Sequence, residues 1–428
     1  MHILKIIHGY PPDYNAGSEV YSKTVCEELS KTNRVSVFTR EENFYARDFS
    51  VSKREYPDVG DLTIYSVNNP HGKDGYKHTE MDNAFSSLVD KLKPDIAYIG
   101  HLNHLSTGLV NVLYNKSIPI VFMLHDFWLM CPRGQFLTRS IGKQDDFSVC
   151  LGQNDQKCAC NCYEVYFSGE ESQRKSDIDS WSRWISGRMN ATRDIANKVD
   201  RFIAPSQYLR NRFIRDFSVP NRKITFLDYG FPIAHLHKPC RSKETREYTF
   251  GYIGTHIPAK GVNLLIQAFL NVKGDVKLKI FGRDNGLSTR ALKKMSEQAD
   301  DRIEFCGEYS NEDVSNKVFS VVDAIVVPSI WAENSPLVIH EAQECSIPVI
   351  TADYGGMAEY VKNKVNGLLF RHRDIESLTN AMQWAVDHPA DMVRFGKRGY
   401  LFSDDGHVHD IKTHCQKLME IFANEMRK

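Results

Sequence analysis

The chain has 428 residues, 42% of them hydrophobic and 25% charged, with 54 basic side chains balanced by 54 acidic ones. At roughly 150 residues per domain, that describes an ordinary folded protein of two or three domains. It excludes a disordered chain, a collagen-like repeat and a polytopic membrane protein, and the lack of a basic surplus argues against a nucleic-acid partner.

The apolar run at residues 3–7, broken by Lys5, predicts a first strand over 2–7, closed by Gly9, Pro11 and Pro12. It is too short for a signal peptide, and no stretch approaches the roughly 18 apolar residues of a membrane span. The expected compartment is therefore the cytosol. Val20, Cys26 and Leu29 recur at helical spacing and predict a helix over 18–30. Strands are expected at 34–39, 62–67, 96–99 and 118–124. Strands alternating with helices predict a parallel sheet covered on both faces. From about 131 to 175 the pattern is lost in a polar excursion rich in cysteine. A helix at 176–199 and a strand at 201–204 follow, then a hinge at 227–232.

The second half restarts the rhythm. A strand at 248–253 and a helix at 261–272 lead to strands at 277–281, 303–306, 324–328 and 348–351, and the tail from 375 is mainly helical. The predicted fold is α/β with two facing Rossmann-like domains. The first spans 1–232 and the second 233–400, while a helical tail at 401–428 returns towards the first. Ligands of such sheets sit beyond the carboxyl ends of the strands, so a deep cleft between the halves is the default site.

Residues 327–361 carry the densest chemistry. Glu333 and Glu341 are separated by seven residues. Ser335 is placed to cap a helix beginning at Pro336, and the first-turn N–H groups of Leu337 and Val338 then form an anion site suited to a diphosphate. A Gly355-Gly356 turn and an Asn-Gly-x-Leu-Phe strand follow. The alternative reading of this spacing is a capped helix with a solvated glutamate.

These motifs together resemble the retaining glycosyltransferases of family 4, which have the GT-B fold, and the likeness extends over nearly the whole chain. The resemblance implies a nucleotide-sugar donor, a UDP- or GDP-sugar, and a glycan, lipid-linked or small-molecule acceptor. It implies that Glu333 holds donor sugar hydroxyls and Glu341 the ribose hydroxyls. The backbone around Ser335, Pro336 and Leu337 would bind the distal phosphate. Gly254 opens the first phosphate loop, GTHIPAKG, in which Lys260 would bind the diphosphate. A basic residue normally follows that first glycine; here it is Thr255. Arg283, in FGRDN, resembles the base-contacting loop. In the first half, Gly17 would let the backbone approach the donor phosphate, and His125, at the end of a buried strand, would contact the sugar near the reacting carbon. His125 and Glu333 are the expected catalytic pair. His101 and His104 follow another strand towards the acceptor side. Asp177-Ile178-Asp179 has the spacing of a metal motif but lies among polar residues leading into a helix, so it is read as a solvated face.

Cys131, within Cys-Pro-Arg-Gly, is followed by Cys150, Cys158, Cys160 and Cys162 at spacings of 19, 8, 2 and 2. This resembles a cysteine-bearing variant of the family. Cys131, Cys150, Cys158 and Cys162 are the expected ligands of a structural zinc ion or iron–sulfur cluster fastening an excursion with no core of its own. The alternatives are unligated thiols or a redox sensor. The implied chemistry is hexosyl transfer with retention and without a divalent metal. A sugar-nucleotide epimerase and a catalytically weak nucleotide-sugar-binding protein are the competing readings. Peripheral contact with a membrane surface suits a lipid-linked acceptor, and the sequence leaves the oligomeric state open.

Overall fold

The sequence folds as two α/β units. The computed structural model describes residues 1–56, 58–69, 75–139, 147–237 and 247–427. Unit 1 comprises residues 1–138, 150–230 and 409–428, and unit 2 comprises 139–149 and 231–408. The chain passes from unit 1 to unit 2 at 230/231 and returns at 408/409. Of the segment between β7 and β8, the described residues 139 and 147–149 group with unit 2. No helix among the described residues is long and apolar enough to cross a membrane.

The elements up to the hinge are β1 (His2–Ile6), α1 (Gly17–Ser30), β2 (Arg34–Glu41), β3 (Val51–Glu55), β4 (Leu62–Asn68), α2 (Thr79–Leu92), β5 (Ile96–Ile99), α3 (Gly108–Asn115), β6 (Ile120–Met123), β7 (Leu137–Arg139), β8 (Phe147–Val149), α4 (Asp155–Cys162), α5 (Arg174–Lys198), β9 (Arg201–Ala204), α6 (Gln207–Phe217) and β10 (Ile224–Phe226). Unit 1 holds an eight-stranded sheet in the order β10-β9-β6-β5-β1-β2-β4-β3. All pairings are parallel except β3 with β4. Strands β1, β5 and β6 are buried along their whole length, which is why β5 and β6 read as continuous apolar runs and β1 as one broken only by His2 and Lys5. The edge strand β3 escapes sequence reading for the opposite reason. Its VSKRE has no apolar alternation, and its charges blunt an otherwise exposed edge.

Unit 2 holds β11 (Tyr248–Ile253), α7 (Val262–Phe269), β12 (Val276–Phe281), α8 (Leu287–Ser296), β13 (Ile303–Gly307), α9 (Val314–Lys317), β14 (Ala324–Val327), α10 (Leu337–Glu344), β15 (Val349–Ala352), α11 (Met357–Tyr360), β16 (Gly367–Phe370), α12 (Ile375–Asp387) and α13 (Pro389–Arg398). Its six strands run β13-β12-β11-β14-β15-β16, all parallel. Counted from β11 this is the order 3-2-1-4-5-6 of a dinucleotide-binding Rossmann sheet. The last helix, α14 (Ile411–Met426), packs on α1 of unit 1.

The excursion is not the coreless segment the sequence suggested. Asn154 caps α4 by accepting from the Lys157 N–H at 2.9 Å. Cys158 and Cys162 then lie one turn apart on the face turned to α5. With Ala159 and Tyr163 they pack on Ile185 and Met189, flanked by Ile178, Trp181 and Trp184. The ring of Tyr163 stands 5.0 Å from Trp181. A turn and a half of sequence is too short a window for this periodicity to stand out.

Candidate functional site

In unit 2 the strand order reverses between β11 and β14, and ligand sites of such sheets form at the carboxyl ends on either side of that reversal. The loop after β11 carries Gly254 to Gly261. The loop after β14 carries Ser329, Trp331, Glu333 and Asn334. Gly261 joins the two: its φ is +69°, and a Cβ there would lie 2.1 Å from the Pro328 carbonyl oxygen, so only glycine fits. This contact brings Lys260 to Glu333. The Lys260 ammonium donates to Glu333 Oε1 at 2.6 Å, and the same oxygen accepts from the Ser329 hydroxyl and the Trp331 indole N–H, each at 2.8 Å. Glu333 is buried, and its loop is braced from behind by Gly356, whose N–H donates to the Glu333 carbonyl at 2.6 Å. A Cβ at Gly356 would collide with the Asn334 carbonyl, 1.4 Å away. The glycine pair is therefore a support for this loop.

The helix beyond begins one residue later than the sequence suggests. Pro336 occupies the cap with extended backbone, α10 starts at Leu337, and no side chain at the cap position bonds into the first turn. Ser335 is buried in front of it. Glu341 lies on α10, where burial pushes its carboxyl up to about 7 against a weaker downward pull from His340. Gly254 is joined to β12 through its N–H on the Phe281 carbonyl, 3.1 Å, and the His256 N–H reaches the Arg283 carbonyl at 3.2 Å. Arg283 is exposed at the end of β12. Thr255 stands half-buried where the family pattern has a cation.

In unit 1 the order reverses between β1 and β5. Their carboxyl ends carry His8 and His101, whose rings are 4.5 Å apart. Each has a carboxylate. His8 Nε2 is 3.2 Å from Glu19, and His101 Nε2 is 3.2 Å from Asp126. The Asn103 N–H donates to His101 Nδ1 at 2.9 Å, so the proton of neutral His101 is on Nε2, facing Asp126. Burial alone would raise the Glu19 carboxyl, but His8 and the Ser18 hydroxyl outweigh it and hold it at about 2. Glu19, in the first turn of α1, is the partner of His8. Gly17 is the exposed first residue of α1.

His125 follows β6. Its Nδ1 is 2.7 Å from the Tyr229 hydroxyl, and the two rings stack at 5.7 Å with 19° between planes. Tyr21 approaches edge-on at 5.5 Å. Burial first, then the charges of Lys5, His101 and His8, hold the imidazole well below its usual range, so it is neutral at pH 7. Its neighbours Tyr229, Tyr21 and Lys5 were not singled out from sequence. They come from the loop after β10, from α1 and from β1, and no motif links them. His104, at φ +57°, has its imidazole held down at about 4, chiefly by burial. Asp177 accepts from the Ser168 N–H at 3.0 Å and hydroxyl at 2.8 Å on the surface of α5, in keeping with a solvated face.

The family model for Glycosyltransferase Family 4 matches residues 16–233, half of the chain, and that for Glycosyl transferases group 1 matches 237–402. The chain belongs to glycosyltransferase family 4. It is 28% identical over 205 residues to an uncharacterized glycosyltransferase of Methanocaldococcus jannaschii, a match covering 48% of this chain and 54% of that relative. The chain thus spans about half or less of the length of the first curated relatives it matches. Sucrose-phosphate synthase from Thermosynechococcus elongatus superposes with a TM-score of 0.69 at 17% identity, covering 99% and 98% of the two chains. HepE of Anabaena, solved with UDP-glucose, gives 0.68 at 17% identity, covering 99% and 100%. The two Rossmann-like units are those of the GT-B architecture.

The metal centre expected of the cysteine variant of family 4 is corrected by the structure. Cys131, Cys150, Cys158 and Cys162 lie near enough to feel one another's charge. Yet among the described residues no three His, Cys, Asp or Glu side chains converge as a metal site requires. The thiols are otherwise engaged. Cys158 and Cys162 are core of the α4–α5 pair, and burial pushes their thiols up to about 11 and 12. Cys150 Sγ bonds the Gly152 carbonyl at 3.1 Å. Cys158 and Cys162 act as small apolar side chains, and with so little thiolate they make poor redox sensors. Cys240 lies outside the described residues.

Proposed function

We propose that the protein is a retaining glycosyltransferase that moves a hexosyl group from a nucleoside-diphosphate sugar, a UDP- or GDP-sugar, to a glycan, lipid-linked or small-molecule acceptor. The observation that carries this reading is the Lys260–Glu333 pair at the strand-order reversal of unit 2, directly before the N-terminus of α10. A cation and a helix N-terminus suit a diphosphate, and a carboxylate beside them suits sugar hydroxyls. UDP-glucose in the HepE structure supports the donor class.

In this reading Lys260 and the first-turn N–H groups of α10 take the diphosphate, with Gly254, Ser335, Pro336 and Leu337 shaping the approach. Glu333 accepts from donor sugar hydroxyls, Glu341 from the ribose, and Arg283 borders the base. In unit 1, Gly17 admits the donor phosphate, and neutral His125 contacts the sugar near its anomeric carbon. The bond from that carbon to the phosphate oxygen breaks and its electron pair leaves with the diphosphate. The acceptor oxygen attacks from the same face, and its proton goes to the departing phosphate. Fixed donors at the phosphate stabilise the leaving charge, so no divalent metal is required.

The test is calorimetric titration with UDP-, GDP- and ADP-sugars, followed by turnover with the donor that binds. Lys260→Ala is expected to weaken donor binding roughly 10- to 100-fold, the scale of a lost charge-assisted hydrogen bond. Glu333→Gln is expected to lower kcat more than it raises KM. NMR of the product should show the donor's anomeric configuration, at a rate indifferent to EDTA. An inverted product overturns the retaining mechanism. Binding with neither transfer nor hydrolysis would make Thr255 a disabling change and the chain a nucleotide-sugar-binding protein.

A further inference from the structure

Lys5 sits in the middle of β1, between β2 and β5, with no exposed surface. Among the described residues its ammonium has no hydrogen-bond partner, and it lies 3.8 Å above the Tyr98 ring. Such burial of an amine is costly, and a cation in so dry a place acts on its neighbours with little screening. Gly100, at the end of β5, shows where it acts. A Cβ built there would stand 2.9 Å from Lys5 Nζ and 3.4 Å from His125 Nε2. The two nitrogens converge on one side of a glycine that has no side chain to separate them.

We propose that Lys5 is a positioning residue for His125: its buried ammonium, meeting the imidazole across Gly100, adds to burial in disfavouring a second positive charge there while Tyr229 holds the ring through Nδ1. The inference rests on the role given to His125 above. The other groups around the pair do not supply a counter-charge. His8 and His101 face His125 from the ends of β1 and β5 and also oppose its protonation. Tyr21 of α1 and Tyr229 flank its ring, and Tyr21 is tied to His414 of α14 at 2.7 Å. Asp126, next in the chain, is engaged by His101 and the Trp128 N–H. Cys26 of α1 faces Lys5, but burial keeps it a thiol, pushed up to about 12. Burial pulls the Lys5 amine down to about 8, which leaves it a cation at neutral pH.

The test compares full-length wild type, Lys5→Met and Lys5→Arg, with the His125 resonance assigned by its loss in His125→Asn. In Lys5→Met the NMR titration midpoint of His125 is expected to rise by half a unit or more. The acid limb of kcat should move up with it, while KM for the donor changes less than twofold. Lys5→Arg, which keeps the charge, should retain the wild-type midpoint. An unchanged midpoint in Lys5→Met overturns the proposal. So does a wild-type Lys5 that titrates as a neutral amine below pH 7 by its ¹³Cε shift, a measurement that decides the matter even if Lys5→Met does not fold. A midpoint that moves without the rate profile supports the assignment of Lys5 and overturns the role of His125.

Discussion

Glu341 is where a single side chain sets a measurable pH dependence. Its carboxyl sits at about 7 because burial on α10 disfavours the charge. In the role proposed for Glu341, a ribose diol would donate two hydrogen bonds to the ionised form, so donor affinity should fall as pH drops. For a carboxyl titrating at about 7, binding at pH 6 is expected to be about tenfold weaker than at pH 8, and Glu341→Gln should flatten the curve at the weaker value. The stability linkage has the opposite sense. The folded carboxyl holds its proton to higher pH than the unfolded one, so stability declines as pH rises from about 4.5 to about 7. Above pH 7, Glu341→Gln should therefore raise Tm while weakening donor binding, a combination that a merely structural glutamate would not give. Most single residues of the unit 2 site were legible in sequence because they fall within two short segments. Lys260 and Glu333 were both named, but their pairing was not. It depends on Gly261 seating against Pro328, a contact between loops 67 positions apart.

At the scale of elements, the excursion shows how a small core replaces a metal. Helices α4 and α5 meet through two cysteines, a tyrosine, Ile185 and Met189, with tryptophans along the margin. Ile185→Ala is expected to cost about 2–5 kcal/mol, the range for emptying a packed aliphatic site, and to release the excursion to proteolysis before the rest of unit 1. Chelation of the wild type should leave Tm unchanged. A fall in Tm on chelation, with metal recovered from the protein, would overturn the apolar reading of Cys158 and Cys162. The sequence misled here because cysteine serves two chemistries at the same spacing. Two thiols one helical turn apart can face a metal or a neighbouring helix, and what decides is whether α5 stands opposite.

The whole of unit 1 depends on a segment supplied last by the chain. Helix α14 buries Cys415, Leu418 and Phe422 against the unit. His414 bonds Tyr21, Phe422 meets Tyr98 at 5.3 Å, and Glu425 pairs with Arg201 at 2.8 Å. It also closes over the crossing at Gly230, where a Cβ would lie 2.4 Å from the His414 Cβ. Each fully buried aliphatic or aromatic side chain is worth about 1.5–3 kcal/mol, and a domain's net stability is only about 5–15 kcal/mol. Deletion of residues 409–428 should therefore leave unit 1 unfolded or molten, seen as loss of its near-ultraviolet circular dichroism. A truncated protein with the wild-type Tm would contradict this.

The sequence by itself determined the fold class, twelve of the sixteen strands among the described residues, and the family. Those follow from local information: buried parallel strands read as apolar runs, and the glycine-bearing loops and the glutamate pair each lie within a few dozen residues. What only the tertiary structure decided was which groups share a field or a core. Strand order set His8 beside His101 and Lys5 beside His125, although β1, β5 and β6 are far apart in the chain. Likewise α5 turned a predicted metal site into hydrophobic packing. Electrostatics and packing depend on distance in space, and residues brought together by non-local strand and helix pairing leave no periodicity to read.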